Sequence, residues 1–119
     1  AVLVGGEVKC WGLQQDGRLG YGQPFSSNNR NWGDEDGEMG DNLPATDLGT
    51  ASQAVQIALG YGHSCALLAG GGVKCWGRNY YGDILGYGDK HNSHRGDAPG
   101  EMGDNLPSID FGTQPFCLF

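Results

Sequence analysis

Basic residues are scarce in this chain. Seven Lys and Arg stand against 14 Asp and Glu in 119 residues, a formal net charge of −7. Nucleic acids and anionic membrane surfaces bind through an excess of cationic groups, so this balance argues against both as partners of the segment. Long apolar runs are missing too. Nothing approaches the roughly 18 residues of a membrane-spanning helix. Leu, Ile, Val and Phe together number 23, no more than Gly alone. A Gly costs about 1 kcal/mol in a helix interior, so glycine at this density excludes long helices and coiled coils. The sequence has no initiator Met and no charged-then-apolar leader, and Ala1 stands inside a patterned segment. It therefore reads as a piece of a longer protein, whose compartment a leader upstream would set.

What is present is order. Ala1–Gly12 (AVLVGGEVKCWG) and Ala66–Gly77 (ALLAGGGVKCWG) agree at 9 of 12 positions with an offset of 65. Gly20-Tyr21-Gly22 recurs as Gly86-Tyr87-Gly88. Gly37–Thr50 (GEMGDNLPATDLGT) recurs as Gly100–Thr113 (GEMGDNLPSIDFGT) with 11 of 14 identities and an offset of 63. Shared features in one order mark an internal repeat: a first copy over 1–50 that begins within its N-terminal strand, a second over 51–113, and a divergent tail over 114–119. The changes in offset fall between Gly82 and Leu85 and between Gly22 and Gly37, where loops absorb length changes that packed strands do not.

The local signals are β. Val55, Ile57 and Leu59 alternate in AVQIAL, and His63–Leu68 is a short apolar run. Ala69-Gly70-Gly71-Gly72 is a hairpin turn, and Val73–Gly77 is its return strand. Asn79–Gly88 and Gln23–Gly37 read as loops, and no segment reads as a helix.

The motifs GHSCALL, VKCWGRN, LGYGD and GEMGDNLP resemble the regulator of chromosome condensation repeat family. Its pattern falls on Gly62, His63, Cys65, Ala66 and Leu67, then on Val73, Cys75, Trp76, Gly77 and Asn79, then on Gly82, Leu85, Gly86 and Gly88. The first copy carries Val8, Cys10, Trp11, Gly12, Gly17, Leu19, Gly20 and Gly22. The resemblance implies an all-β fold, a partial β-propeller of about two four-stranded blades made of short antiparallel strands with Gly-rich turns. Trp11, Trp76, Leu19 and Leu85 are then the expected blade core. A blade cannot bury both faces alone, so two blades leave faces and edges open, and self-association through them is expected.

Each constellation has a chemical and a structural reading. Cys65 and Cys75 flank the Gly-rich turn almost symmetrically. They read either as a cross-strand disulfide of an oxidising compartment or as two small buried thiols, with hairpin register deciding. Cys10 and Cys117 are left over, and nothing in their spacing requires them to pair. His63, Cys65, Cys75, His91 and His94 lack zinc-ligand spacing, so no metal is assigned to them. Asp34, Asp36, Glu38 and Asp41, echoed by Asp97, Glu101 and Asp104, suit calcium by chemistry but lack the loop pattern, and turn chemistry explains them equally. Ser64 in Gly62-His63-Ser64-Cys65 mimics a nucleophile elbow without the helix that an elbow needs. Arg95-Gly96-Asp97 reads as a turn. Trp32, Asn79, Tyr80, Tyr81 and Asp83 are the candidate partner-binding loop residues, because aromatics on rigidly held loops are common binding hot spots.

No residues are assigned to catalysis or to a cofactor. The expected function is a non-enzymatic propeller-repeat module for protein–protein interaction. The alternatives are a regulator of guanine-nucleotide-exchange type acting on a small GTPase, which the resemblance implies, and a secreted calcium-stabilised binding propeller.

Overall fold

Short runs of β-branched and apolar residues set between glycine turns have one regular outcome, the antiparallel strand. The computed structural model describes residues 1–24, 31–80, 83–88 and 93–113. Among these residues it has five strands: β1 (Gly12–Leu13), β2 (Asn31–Trp32), β3 (Ala54–Leu59), β4 (His63–Leu68) and β5 (Val73–Gly77). β1 and β2 form a two-stranded antiparallel sheet, and β3-β4-β5 form a three-stranded one. The only helical turns described are 3-10 turns at Gly40–Asn42 and Gly103–Asn105, equivalent places in the two copies. β2 falls inside a segment read as loop; it is two residues long, too short to carry a period.

The second copy shows why the sheet stops where it does. β4 and β5 pair in a register that sets His63 opposite Gly77, Cys65 opposite Cys75 and Leu67 opposite Val73. Leu68 N–H donates to the Gly72 carbonyl at 2.8 Å to close the turn. The fourth strand of a blade is present only in pieces along the outer edge of β5. Arg95 exchanges both backbone hydrogen bonds with Gly77, at 2.7 and 3.1 Å, and Ile109 N–H donates to Val73 C=O at 2.7 Å. Between these contacts the chain turns away and is closed on itself by Glu101, whose carboxylate accepts the N–H groups of Gly96, Asp97 and Ala98.

The first copy repeats these bonds. Gly12 pairs with Trp32, Thr46 N–H donates to Val8 C=O at 2.8 Å, and Glu38 accepts the N–H groups of Gly33, Asp34 and Glu35. In each copy a tyrosine hydroxyl clips a cysteine backbone. Tyr87 accepts from Cys75 N–H at 3.0 Å and donates to Cys75 C=O at 2.8 Å, and Tyr21 holds Cys10 in the same way.

The core lies between the copies. Val8, Leu19 and Leu48 of the first meet Ala54, Ala66, Trp76, Met102 and Leu106 of the second. Trp76 is wholly buried, and Leu19 and Leu85 are buried as well. Gly20 makes room for the Trp76 ring. It sits at φ +74°, and a Cβ there would fall 2.7 Å from Thr46 Cγ2 and 2.8 Å from Trp76 Nε1. The indole N–H of Trp76 finds no acceptor among the described residues. Trp11 corrects the expected core: it is 52% exposed. The sequence around it is that of Trp76, but no Gly20-like platform among the described residues lies against it.

Candidate functional site

Cys65 and Cys75, facing each other across β4 and β5, are joined by a disulfide that closes the hairpin. Closing a loop of this length restricts the unfolded chain by about 2–3 kcal/mol. Their counterpart Cys10 is a buried free thiol, and burial pushes its pKa up. Cys117 lies outside the described residues.

The residues singled out as binding loops take different places. Asn79 is fully buried and organises its loop. Its N–H donates to His94 Nδ1 at 3.0 Å, its amide donates to Asp83 Oδ1 at 3.1 Å, and its side-chain carbonyl accepts from Leu85 N–H at 3.3 Å. Asn79 is thus internal scaffolding, because a loop turning back on itself needs buried partners for its backbone groups. Asp83 is turned inward and also receives the Gly88 N–H. Trp32 is half-buried, edge-on to Tyr21 at 5.6 Å between centroids, with its indole N–H on Gln14 Oε1 at 2.9 Å. Tyr80 is at the surface, between the Arg78 guanidinium at 4.7 Å and the edge of His94 at 4.5 Å. Tyr81 lies outside the described residues.

The structure adds a groove that the sequence did not suggest. It is about 250 Å³ in volume and is lined by Cys10 and Leu19 of the first copy and by Ile57, Leu59, Tyr61 and His63 of β3, β4 and the turn between them. Leu59 and Tyr61 are exposed beside it. Arg78 lies 5.9 Å from the Tyr61 ring and closer to Tyr80, so an aromatic–cationic strip runs along one rim. Beside the groove, Lys9 and Ala1 exchange hydrogen bonds at 3.0 and 2.7 Å. Leu59 was legible as the last residue of an alternating strand; Tyr61, alone between two glycines, gave no signal of its surroundings.

The remaining constellations are accounted for locally. Ser64 lies within β4 and donates its hydroxyl to the Arg18 carbonyl at 3.0 Å. Glu38 and Glu101 bind backbone N–H groups, as above. Burial, reinforced by the neighbouring Asp97, raises the pKa of Glu101. Asp104 accepts the Thr50 N–H and hydroxyl, each at 2.7 Å, and these bonds hold its carboxyl below the usual range. Arg95 and Gly96 are engaged with Gly77 and Glu101. Among the described residues no three of His, Cys, Asp and Glu are grouped so as to hold a metal ion. His91 lies outside those residues.

Two copies of a glycine-turned, antiparallel unit sharing one core define a β repeat protein of the partial-propeller type. Residues 54–83 match the family described as Regulator of chromosome condensation (RCC1) repeat, the family the sequence resembles. The matched segment takes in β3, β4 and β5. No solved structure matches the chain.

Proposed function

We propose that this chain is a non-catalytic protein-binding module whose groove takes an extended segment of a partner protein. One observation carries the reading: exposed Leu59 and Tyr61, with Arg78 beside the Tyr61 and Tyr80 rings, rim a groove lined by Leu19 and Ile57. An extended segment lays alternate side chains into such a groove, where apolar contacts remove them from water. The Tyr61–Arg78–Tyr80 strip supplies the rigid aromatic and cationic contacts that dominate interface energies. The match to the repeat family over 54–83 supports the same reading.

The test is selection of displayed ten-residue peptides on the immobilised chain, with the L59S/Y61S variant as the competitor. The expected result is a set of peptides with alternating apolar residues that bind the wild-type chain at least tenfold tighter than the variant. Enrichment of no peptide, or equal binding to both, overturns the proposal. Both substituted side chains are exposed, so the variant keeps its fold, which far-UV circular dichroism checks.

A further inference from the structure

In a chain with 14 acidic and 7 basic residues, carboxylates outnumber cations two to one. Arg78 nevertheless has none beside it. Among the described residues the ion pairs both fall on Asp16, from Arg18 and from His94, each at 3.6 Å. Lys9 and Lys74 turn their ammonium groups to backbone carbonyls. The Arg78 guanidinium meets aromatic rings instead, at 5.9 Å from the Tyr61 centroid and 4.7 Å from that of Tyr80. Nearby Asp83 is turned inward, onto the Asn79 amide and the Gly88 N–H.

The position of Arg78 is built in advance. Its N–H donates to the Gly62 carbonyl at 2.8 Å, which carries the β4–β5 pairing one residue past β5. Its stem lies along Gly62, where a Cβ would fall 3.1 Å from both Cβ and Cδ of Arg78 and 3.7 Å from Nη2 of Arg18. Gly62 thus lets one guanidinium lie flat on the turn and brings a second to the same place. Tyr61, in the turn between β3 and β4, is 89% exposed. Tyr80 is backed by the edge of His94, which is itself held by the Asn79 N–H and faces Asp16. A guanidinium held over rings keeps its in-plane N–H donors for a carboxylate, and a fork fixed beforehand loses little freedom on binding. The whole patch belongs to the end of the β3-β4-β5 sheet where β3 turns into β4 and β5 runs out.

We propose that the partner segment is acidic: an Asp or Glu carboxylate of that segment docks on Arg78 between Tyr61 and Tyr80, while its neighbouring residues lie in the groove. This rests on the groove reading above and names the chemistry of what the groove takes. Charge argues for the occupant. A net charge of −7 repels acidic segments from the surface at large, so a local arginine that lacks a carboxylate gives recognition of one site rather than general adhesion. Arg18 already has Asp16 and adds its field without needing the same partner.

The test is a double-mutant cycle on ten-residue peptides recovered from a displayed library on the immobilised wild-type chain. The recovered peptides are expected to share an Asp or Glu at one position beside an apolar residue. Exchanging that acid for its amide is expected to weaken binding to the wild-type chain about tenfold, and binding to Arg78→Gln less than about twofold. Arg78→Lys keeps the charge but not the planar fork, and is expected to recover only part of the affinity. Near-UV circular dichroism checks that both variants keep the fold. Recovery of no peptide, peptides without a shared acid, or an equal loss on Arg78→Gln overturns the proposal. Leu59→Ser separates it from the groove reading. Peptides that Leu59→Ser weakens but that ignore both Arg78→Gln and the amide exchange overturn the acidic site and leave the groove standing. Acid-dependent binding that needs Arg78 and not Leu59 upholds the acidic site and overturns the groove.

Discussion

Trp11 and Trp76 occupy the same motif, and their difference is set by what lies over them. Trp76→Ala removes a fully buried ring and is expected to cost about 3–5 kcal/mol in urea denaturation. Trp11→Ala in dilute monomer is expected to change stability by less than about 1 kcal/mol, since surface truncations away from special features change little. Equal costs for the two would show that Trp11 is covered in solution by this same chain. Tyr21 gives a pH signature at this scale. Burial raises its pKa to about 12, against about 10 for an exposed phenol. Its contribution to stability is therefore complete below pH 10 and is lost as pH rises from 10 to 12. Tyr21→Phe is expected to flatten that alkaline fall in the urea midpoint. The tyrosines at 21 and 87 were legible as repeat positions, but their hydroxyl clip on the cysteine backbone was not, because the partners lie 11 and 12 residues away across a loop.

At the scale of elements, the three strands of the second copy are where the alternating and glycine-flanked runs put them, since turn chemistry is local. The fourth strand was not legible. Arg95 and Ile109 each touch β5 once, and the intervening turn is held by Glu101, a single side chain bound to three backbone N–H groups. Glu101→Ala leaves those partly buried donors unmatched and is expected to cost about 1–3 kcal/mol. Glu38→Ala, at the exposed equivalent, lets water replace the carboxylate and is expected to cost less than about 1 kcal/mol. Thermal unfolding of both variants checks the order. Similar losses would mean that the turn in the second copy is as open to solvent as that in the first.

At the scale of the whole molecule, Asp104 reports on the junction between the copies, where it accepts both Thr50 hydrogen bonds. The hydrogen bonds from Thr50 lower its pKa, so its contribution is present above the ordinary carboxylate range and is lost as pH falls through the lowered value. Asp104→Asn is therefore expected to reduce the urea midpoint at neutral pH, and the gap from wild type is expected to close below about pH 4. A gap that did not shrink as pH fell below the ordinary carboxylate range would trace the effect to packing rather than to the charge. The acidic residues show why a cluster in sequence misleads about a site. Glu38, Glu101 and Asp104 look alike as candidate ligands, yet each is turned to a different backbone segment.

The register across the hairpin came from the structure, whereas composition, glycine spacing and the repeat were enough to determine an all-β chain with an internal repeat and its hairpin. Those features depend on local sterics and on side-chain alternation, which the residues carry wherever they stand. Which of two identical motifs is core and which is surface, and where a groove opens, were decided only by the tertiary structure. Burial belongs to a pair of surfaces, and one member of each pair is supplied by a neighbour remote in sequence: Gly20 beneath Trp76, Ile57 and Leu59 opposite Cys10, and Thr50 beside Asp104.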